Sequence, residues 1–299
     1  MDVEETKGSF NYGKPPWIFK GRALYQLHLV KAATVRASIP KELRLVEAFG
    51  YTLGGFFLAN YDDSPAGVFD ELVVIAGLVW SPPTSCAWAA KVLVNSNEAC
   101  DHGRKEVGLP SQVARFSKRI TAVSRQPQTK QSEFLNAIGM NGVISNPEEQ
   151  IHVQVTEIMD HASKDACNVN LTTSMPALDG NKWMGPAIKM SLPSFSGRTK
   201  YYPDLLKYSC MIDCRVRAVH PAKVSGPSPV PTNENEQSSD SHCYHTQNQK
   251  EITDNVQNLT RAVMLSKPLL ALEFSSMKMQ VEAPVVISNY FKNNSLATS

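Results

Sequence analysis

The chain has 299 residues, of which 42% are hydrophobic and 19% are charged, and its formal net charge is +2. A charge this close to neutral argues against a nucleic-acid partner, which would need a concentrated basic surface. The longest apolar run, residues 72–80, is far shorter than the ~20 residues of a membrane-spanning helix. The composition therefore indicates a globular chain without a membrane span.

The N-terminus favours a reducing compartment, and the cysteines are interpreted accordingly. The chain begins Met-Asp-Val-Glu-Glu, whereas a secretory signal starts basic and then apolar, and a transit peptide is poor in acids. The expected location is therefore the cytosol. The six cysteines are then expected to be reduced, and those inside strand-like segments to act as small buried hydrophobes. These are Cys86, Cys167, Cys210 and Cys214.

Apolar runs predict a succession of strands along the chain. Residues 71–80 are almost uniformly apolar, as expected of a strand that is buried on both faces. Gly54 and Gly55, inside another run, indicate a bulge, a barrel corner or the close approach of a backbone or ligand. In chain order, the predicted strands are residues 23–30, 51–60, 71–80, 85–95, 152–158, 166–173, 187–192, 208–219 and 270–287.

Helix signals are few. A short helix over residues 39–43 would place its proline in the first turn, a position that proline favours. A longer helix over residues 96–107 would be capped by Ser96 or Asn97 and would end near Gly108. Many strands with few helices predict a mainly β (α+β) fold built on a closed or strongly curved antiparallel sheet.

Residues 220–258 depart from this pattern, because they are rich in Pro, Ser, Asn, Gln and Glu and nearly lack large apolar side chains. Such a composition cannot bury enough surface to offset the entropy of ordering it. A strand pattern follows the segment, and the remaining chain is too short to fold alone. The segment is therefore predicted to be a disordered insertion within a single domain, 1–299, and a smaller flexible loop is expected near residues 124–132.

Residues 101–112 resemble the segment of acetoacetate decarboxylases that reads Gly-Arg-Glu, a short spacer, Gly, an apolar residue and then Pro-Lys-Lys. Residues 65–74 resemble the start of a strand in the same family that carries a glutamate, here Glu71. Residues 15–21 resemble the family's N-terminal segment. The resemblance implies an acetoacetate-decarboxylase-like β-cone with a few short helices.

A closer resemblance covers most of the chain outside the two loops. It lies in six segments, residues 14–21, 47–79, 103–116, 183–190, 262–268 and 281–286, which are similar to the plant neoxanthin-deficient proteins. This resemblance implies a role in forming the xanthophyll neoxanthin from the epoxycarotenoid violaxanthin, as an accessory protein rather than as the direct catalyst. Because xanthophylls are made in plastids, association with the plastid stays open beside the cytosol.

The lysines that decarboxylation requires are replaced in this sequence. In the decarboxylases, a lysine after the proline forms an imine with the β-keto acid, and the next lysine is its cationic neighbour that lowers its pKa. The matching positions here are Ser111 and Gln112, and neither side chain can form an imine. Lys105 and Lys91 are the lysines that could be proposed as substitutes, but a solvated lysine and a strand lysine are the simpler interpretations.

The resemblance assigns candidate pocket residues rather than catalytic ones. Glu71, Arg104, Glu106, Ser111 and Gln112 would border an apolar ligand pocket. A buried carboxylate without a partner is costly, so Arg104 could pair with Glu71 or with Glu106 instead of contacting a ligand. An alternative is a lyase or isomerase of the same fold, in which Glu71 or Glu106 acts as acid or base on an epoxide or keto group.

No metal or cofactor site is predicted. His242, Cys243 and His245 resemble a metal-binding fragment, but they lie in the predicted insertion without a second pair of ligands. Cys210 and Cys214 would be roughly 13 Å apart along one strand, too far to share a metal. The partners that remain are an apolar small molecule, such as a carotenoid or its derivative, and proteins of the xanthophyll pathway that could contact the surface or residues 220–258.

Overall fold

The computed structural model of the protein describes residues 12–123, 148–159, 162–174, 185–226, 256 and 258–287, with the backbone alone at 122–123, 148–150, 159 and 162–174. The loop predicted near residues 124–132 lies outside the described residues. So do most of residues 220–258 and the side chains of Cys167 and Cys243. The described part of the chain is dominated by strands.

Each predicted strand corresponds to an observed strand, although the prediction over residues 85–95 runs one residue past the end of β5 and residues 270–287 form two strands. The strands are β1 (Trp17–Lys31), β2 (Arg44–Leu45), β3 (Tyr51–Asp63), β4 (Phe69–Ser81), β5 (Thr84–Val94), β6 (Ser111–Val123), β7 (Glu148–Met159), β8 (Ala162–Ser174), β9 (Ala187–Gly197), β10 (Leu205–Val219), β11 (Lys223–Ser225), β12 (Lys267–Val281) and β13 (Val285–Val286).

Seven of these strands close into a barrel. The hydrogen-bonded order is β5-β9-β10-β12-β1-β3-β4, and the antiparallel pairing of β4 with β5 completes the circle. All neighbouring pairs in the barrel are antiparallel except β5 with β9, which is parallel. From β5 the sheet also continues outward through β6, β7, β8 and β11. The mainly β, strongly curved fold expected from the sequence is therefore confirmed.

Two short helical segments differ in how well the sequence predicts them. The helix over residues 96–107 is confirmed as α2 (Asn97–His102) followed by a π-helical turn (Gly103–Val107), with the Ser96 hydroxyl accepting a hydrogen bond from the Ala99 amide at the N-terminus. The helix predicted over residues 39–43 is wrong. The helical residues precede it, as α1 (Ala32–Val35) and a 3-10 turn (Arg36–Ser38).

Proline explains that displacement. Ile39 has φ −84° and ψ 127°, an extended conformation that is favoured directly before a proline, so the helical turn ends there. The elements that were not predicted are strand β6, a helix that includes residues 258–264, and the short strands β2 and β11. The start of the predicted insertion is also ordered, since residues 223–225 pair with β8 and the Ala222 amide donates to Gln26.

The barrel has a packed interior and a second core outside it. Inside, the rings of Tyr25, Phe57 and Phe274 meet with centroids 6.2–6.3 Å apart and fill the middle of the barrel. Outside, side chains such as Phe56 and Leu58, which alternate with Phe57 along β3, pack into a separate cluster beneath α1 and residues 258–264. The three rings lie near the middle of β1, β3 and β12, between the two ends of the barrel.

The four cysteines with described side chains are free thiols, as the sequence predicts. Cys86, Cys100 and Cys214 are buried, and Cys210 is partly buried. Each therefore packs as a small hydrophobic side chain and forms no cross-link.

A buried ion pair joins the barrel to the outer strands. Lys91 on β5 donates to a carboxylate oxygen of Glu157 on β7 at 2.6 Å, and the two side chains are only 3% and 6% exposed. Removing one partner of such a pair leaves an uncompensated buried charge, whereas replacing both by apolar side chains is often neutral or stabilising.

We expect Glu157→Gln to lower the free energy of unfolding by about 3–5 kcal/mol, because Lys91 would keep its charge without a partner. The double variant Lys91→Met/Glu157→Leu should recover most of that loss. Urea unfolding of the three proteins measures both effects. Equal stability of wild type and Glu157→Gln would show that the pair does not hold these strands together.

Candidate functional site

A cavity of about 120 Å³ lies at one end of the barrel interior. It is enclosed between the barrel strands, α2 and the π-helical turn, and Phe57 of the central ring cluster contributes to its wall. Most of its lining is aromatic or aliphatic. The side chains in the wall that carry polar atoms are Tyr61, Glu71, His102, Ser111, Ser194, Tyr208 and Cys210.

The helical cover of the cavity is fixed to the start of β6. Arg104 donates through Nε to the Ser111 carbonyl oxygen at 2.7 Å, and the Leu109 amide donates to the Gly103 carbonyl oxygen at 2.8 Å. A Cβ at position 103 would lie 2.4 Å from the Ser111 hydroxyl oxygen, so a larger residue there would force the Ser111 hydroxyl to move. The absence of a side chain at Gly103 thus allows the cover to approach Ser111 closely.

Glu71 is the acidic group of the cavity. The Tyr61 hydroxyl donates to its Oε2 at 2.8 Å. Burial raises the pKa of the Glu71 carboxyl from 4.5 to about 7, although the hydrogen bond from Tyr61 lowers it. A carboxyl with this pKa is present in both protonation states near neutral pH, so it can donate or accept a proton.

Two further polar groups in the wall have no hydrogen-bond partner within the described part of the chain: Nε2 of His102 and Oγ of Ser111. The two residues are 3% and 2% exposed. Burial lowers the pKa of His102 to about 4, so the imidazole is neutral at physiological pH. Buried polar groups are normally satisfied, and these two therefore are available to a polar ligand.

The remaining polar groups in the wall are held in their neutral forms. Burial raises the pKa of the Cys210 thiol to about 12 and raises the pKa of Tyr208 well above its usual value, with a further contribution from the charge of Glu71 in the case of Cys210. Since the thiolate is the nucleophilic form of cysteine, Cys210 is a packing residue and not a nucleophile.

The structure brings together two of the five residues that the sequence assigns to the pocket. Glu71 and Ser111 line the cavity. Gln112 is exposed, because side chains alternate along a strand and Ser111 points inward. Arg104 and Glu106 are absent from the cavity lining; Arg104 instead holds the helical cover.

Neither of the ion pairs considered for Arg104, with Glu71 or with Glu106, occurs among the described residues. Sequence reasoning also missed Tyr61 and His102 as cavity residues. The period-two pattern of β3 could have placed Tyr61 on the inward face with Phe57. For His102, the only signal in the sequence was its position in the segment that resembles the decarboxylases, because a single histidine by itself does not indicate a site.

No lysine lines the cavity within the described part of the chain. Lys105 is on the exposed side of the π-helical turn and pairs with Asp101 at 2.8 Å. Lys91 is buried, but it contacts Glu157 outside the cavity. Both substitutes for the missing lysine are therefore placed where they cannot reach a ligand in this cavity.

The described residues contain no cluster of three or more histidine, cysteine, aspartate or glutamate side chains that could hold a metal. The fragment His242, Cys243 and His245 lies outside them. Among the same residues, no helix is long and apolar enough to cross a membrane.

The chain is similar to three curated plant proteins along nearly its whole length. Protein NEOXANTHIN-DEFICIENT 1 of Arabidopsis thaliana is 63% identical over 287 residues, covering 96% of the chain and 99% of that protein. The protein of the same name in Solanum lycopersicum is 61% identical over 289 residues, covering 96% and 98%. The protein of the same name in Oryza sativa subsp. japonica is 52% identical over 298 residues, covering 99% of the chain and 97% of that protein. No protein-family model matches the chain.

Solved structures with a similar backbone are much more distant in sequence. The enduracididine biosynthesis enzyme MppR, complexed with the condensation product of pyruvate and imidazole 4-carboxaldehyde, has a TM-score of 0.52 and 13% identity, over 93% of this chain and 91% of that one. Acetoacetate decarboxylase from Legionella pneumophila has a TM-score of 0.50 and 10% identity, over 93% and 90%. At these identities the likeness shows the fold alone, which is acetoacetate-decarboxylase-like.

The raised pKa of Glu71 makes the stability of the fold depend on pH. The folded state binds the proton more tightly than the unfolded chain, whose glutamate titrates near 4.5. This contribution is therefore fully present below pH 4.5 and is lost as the pH rises toward 7. The loss amounts to about 2–3 kcal/mol.

We expect Glu71→Gln to remove this dependence, so that its advantage over wild type in unfolding free energy grows between pH 4.5 and 7. Glu106→Gln, outside the cavity, serves as the control and should run parallel to wild type. Denaturant unfolding at a series of pH values gives both differences. Parallel curves for wild type and Glu71→Gln would show that the Glu71 pKa is not raised.

Proposed function

The chain belongs to the Neoxanthin-deficient 1 family, and from that membership we propose that it supports the formation of neoxanthin from violaxanthin as an accessory protein without decarboxylase activity. The curated relatives are named for a deficiency of this xanthophyll and align with the chain from end to end. In this proposal the chain acts in carotenoid metabolism and does not form an imine with a substrate.

One observation supports the absence of decarboxylation. Ser111 is buried in the cavity wall at the position where the resembling decarboxylases carry the reactive lysine, and no lysine lines the cavity within the described residues. An imine needs a primary amine that can lose its proton and attack a carbonyl carbon. A hydroxyl cannot replace it, so this cavity lacks the electron sink that decarboxylation of a β-keto acid requires.

The size of the cavity limits what an accessory role can involve. Its volume is about 120 Å³, whereas an engineered apolar cavity of about 150 Å³ accommodates benzene. A whole carotenoid is far larger, and the cavity can enclose only a small molecule or a terminal group. Contact with the rest of a pigment, or with another protein of the pathway, would then take place outside the barrel.

Trapping with borohydride tests the absence of imine chemistry directly. Reduction of an imine between a lysine and a keto acid leaves a stable secondary amine, which adds mass to the polypeptide. We expect no adduct on the wild-type protein with acetoacetate and borohydride, and an adduct at position 111 in Ser111→Lys, as measured by intact-mass and peptide mass spectrometry. A lysine-dependent acetoacetate decarboxylase serves as the positive control. A specific adduct within the wild-type cavity would contradict the proposal.

A second candidate function is acid–base catalysis in the same cavity, by an isomerase or lyase acting on an epoxide or keto group. It is favoured by the pKa of about 7 for Glu71 together with the unpartnered Ser111 hydroxyl and His102 imidazole. Glu71 could protonate an epoxide oxygen and, once ionised, accept a proton from a neighbouring carbon. Of the two carboxylates considered from the sequence, only Glu71 lines the cavity.

Complementation separates the two functions. In a plant that lacks this protein, we expect Glu71→Gln to restore neoxanthin to the wild-type level, because an accessory role needs the shape and hydrogen bonding of the site but not proton transfer. Glu106→Gln is the matched control, and both proteins must accumulate equally. Loss of neoxanthin with Glu71→Gln alone would favour the enzyme over the accessory protein.

A further inference from the structure

Exposed apolar side chains gather at the end of the barrel opposite the cavity. Phe49 is fully exposed, and the other members have between 37% and 48% of their surface exposed. Large apolar side chains clustered in this way mark interaction surfaces, whereas single exposed ones are ordinary. The apolar rim consists of Phe49, Tyr51, Leu53, Trp80, Leu269 and Leu270.

Strand register places these side chains at one end. Strand β3 runs from the rim to the cavity, where it ends near Tyr61, and β4 runs back from Phe69 at the cavity to Trp80. Leu53 pairs with Leu29 on β1, and Leu29 pairs with the first residue of β12. The rim residues of β3, β4 and β12 therefore lie at the same end of the barrel, opposite the cavity.

Phe49 protrudes from this edge in a conformation that its side chain does not favour. It forms with Gly50 a two-residue turn, closed by hydrogen bonds of 2.8 and 2.9 Å between Ala48 and Tyr51. The φ angles of Phe49 and Gly50 are 52° and 79°. Such turns strongly prefer Asn or Asp before Gly, and a bulky residue with positive φ is an outlier. The fold itself thus gains nothing from this ring.

Unpaired cations surround the rim. Lys31 on β1 pairs with Tyr51 in the strand register, and Arg44 on β2 pairs with Trp80. Lys267 is the first residue of β12, two residues before Leu269. All three cations are exposed, and none takes part in an ion pair within the described part of the chain.

The carboxylates near the rim do not balance these charges. Glu47 pairs with Arg36 at 2.5 Å, and Glu42 pairs with Arg198. Each of these carboxylates already has a cationic partner, so neither of them is paired with Lys31, Arg44 or Lys267.

We propose that the apolar rim docks onto the surface of an anionic lipid bilayer, with the Phe49 turn inserted among the headgroups. Aromatic and aliphatic side chains flanked by lysine and arginine are the combination that interfacial membrane binding uses. A second copy of the chain fits less well, because a two-fold interface would bring the same unpaired cations face to face. The inference does not depend on the chemistry of the cavity.

Co-sedimentation with vesicles tests the proposal with the full-length protein. Wild type should bind vesicles of phosphatidylcholine with phosphatidylglycerol, should bind pure phosphatidylcholine much more weakly, and should dissociate as salt is added. Phe49→Asn should bind at least about tenfold more weakly, because the inserted ring is lost. Replacing Lys31, Arg44 and Lys267 by Gln should cost about fivefold for each charge removed.

The matched controls separate docking from misfolding. Asn is favoured at position 49 of this turn, so Phe49→Asn should melt at the same temperature as wild type or higher. Val68→Ser removes an apolar side chain that is 70% exposed at the cavity end of the barrel and should bind like wild type. Failure of wild type to bind anionic vesicles, or equal binding by Phe49→Asn, would overturn the proposal. The proposal would also be overturned if wild type failed to bind vesicles but formed a dimer in analytical ultracentrifugation, and if Phe49→Asn dissociated that dimer.

Discussion

The close contact between Gly103 and the start of β6 is the constraint on which the rest of the site depends. Because position 103 carries no side chain, the π-helical turn can cover the end of the barrel, and Arg104 holds it there through the Ser111 carbonyl oxygen. This contact closes the cavity over the inward-facing Ser111 side chain. Because residue 111 is a serine, a hydroxyl and not an amine faces the cavity.

Burial in the closed cavity then determines the protonation of the titratable side chains in its wall. The same burial keeps His102 uncharged and raises the pKa of Glu71 to about 7, so near neutral pH the carboxyl is partly protonated while the imidazole is not protonated to its cationic form. Such an arrangement favours hydrogen bonding to a polar group and proton exchange over nucleophilic attack.

Periodicity predicted the strands well and the site only in part. Apolar alternation located the barrel strands, because one face of each is buried, and the family resemblance led to Glu71 and Ser111. Strand β6 was missed because its exposed face is charged and its pattern is weak. Whether Arg104 and Gln112 line the cavity depends on the direction of their side chains. For Gln112 that direction follows from where β6 begins. Tyr61 and His102 come together only through long-range packing.

The central claim is that this cavity does not decarboxylate a β-keto acid, and the most direct measurement is the release of labelled carbon dioxide from carboxyl-labelled acetoacetate. The purified protein should release it no faster than buffer alone, across the pH range in which Glu71 titrates. Release well above the buffer rate that disappears in Ser111→Ala would contradict the claim, because it would place decarboxylation within this cavity.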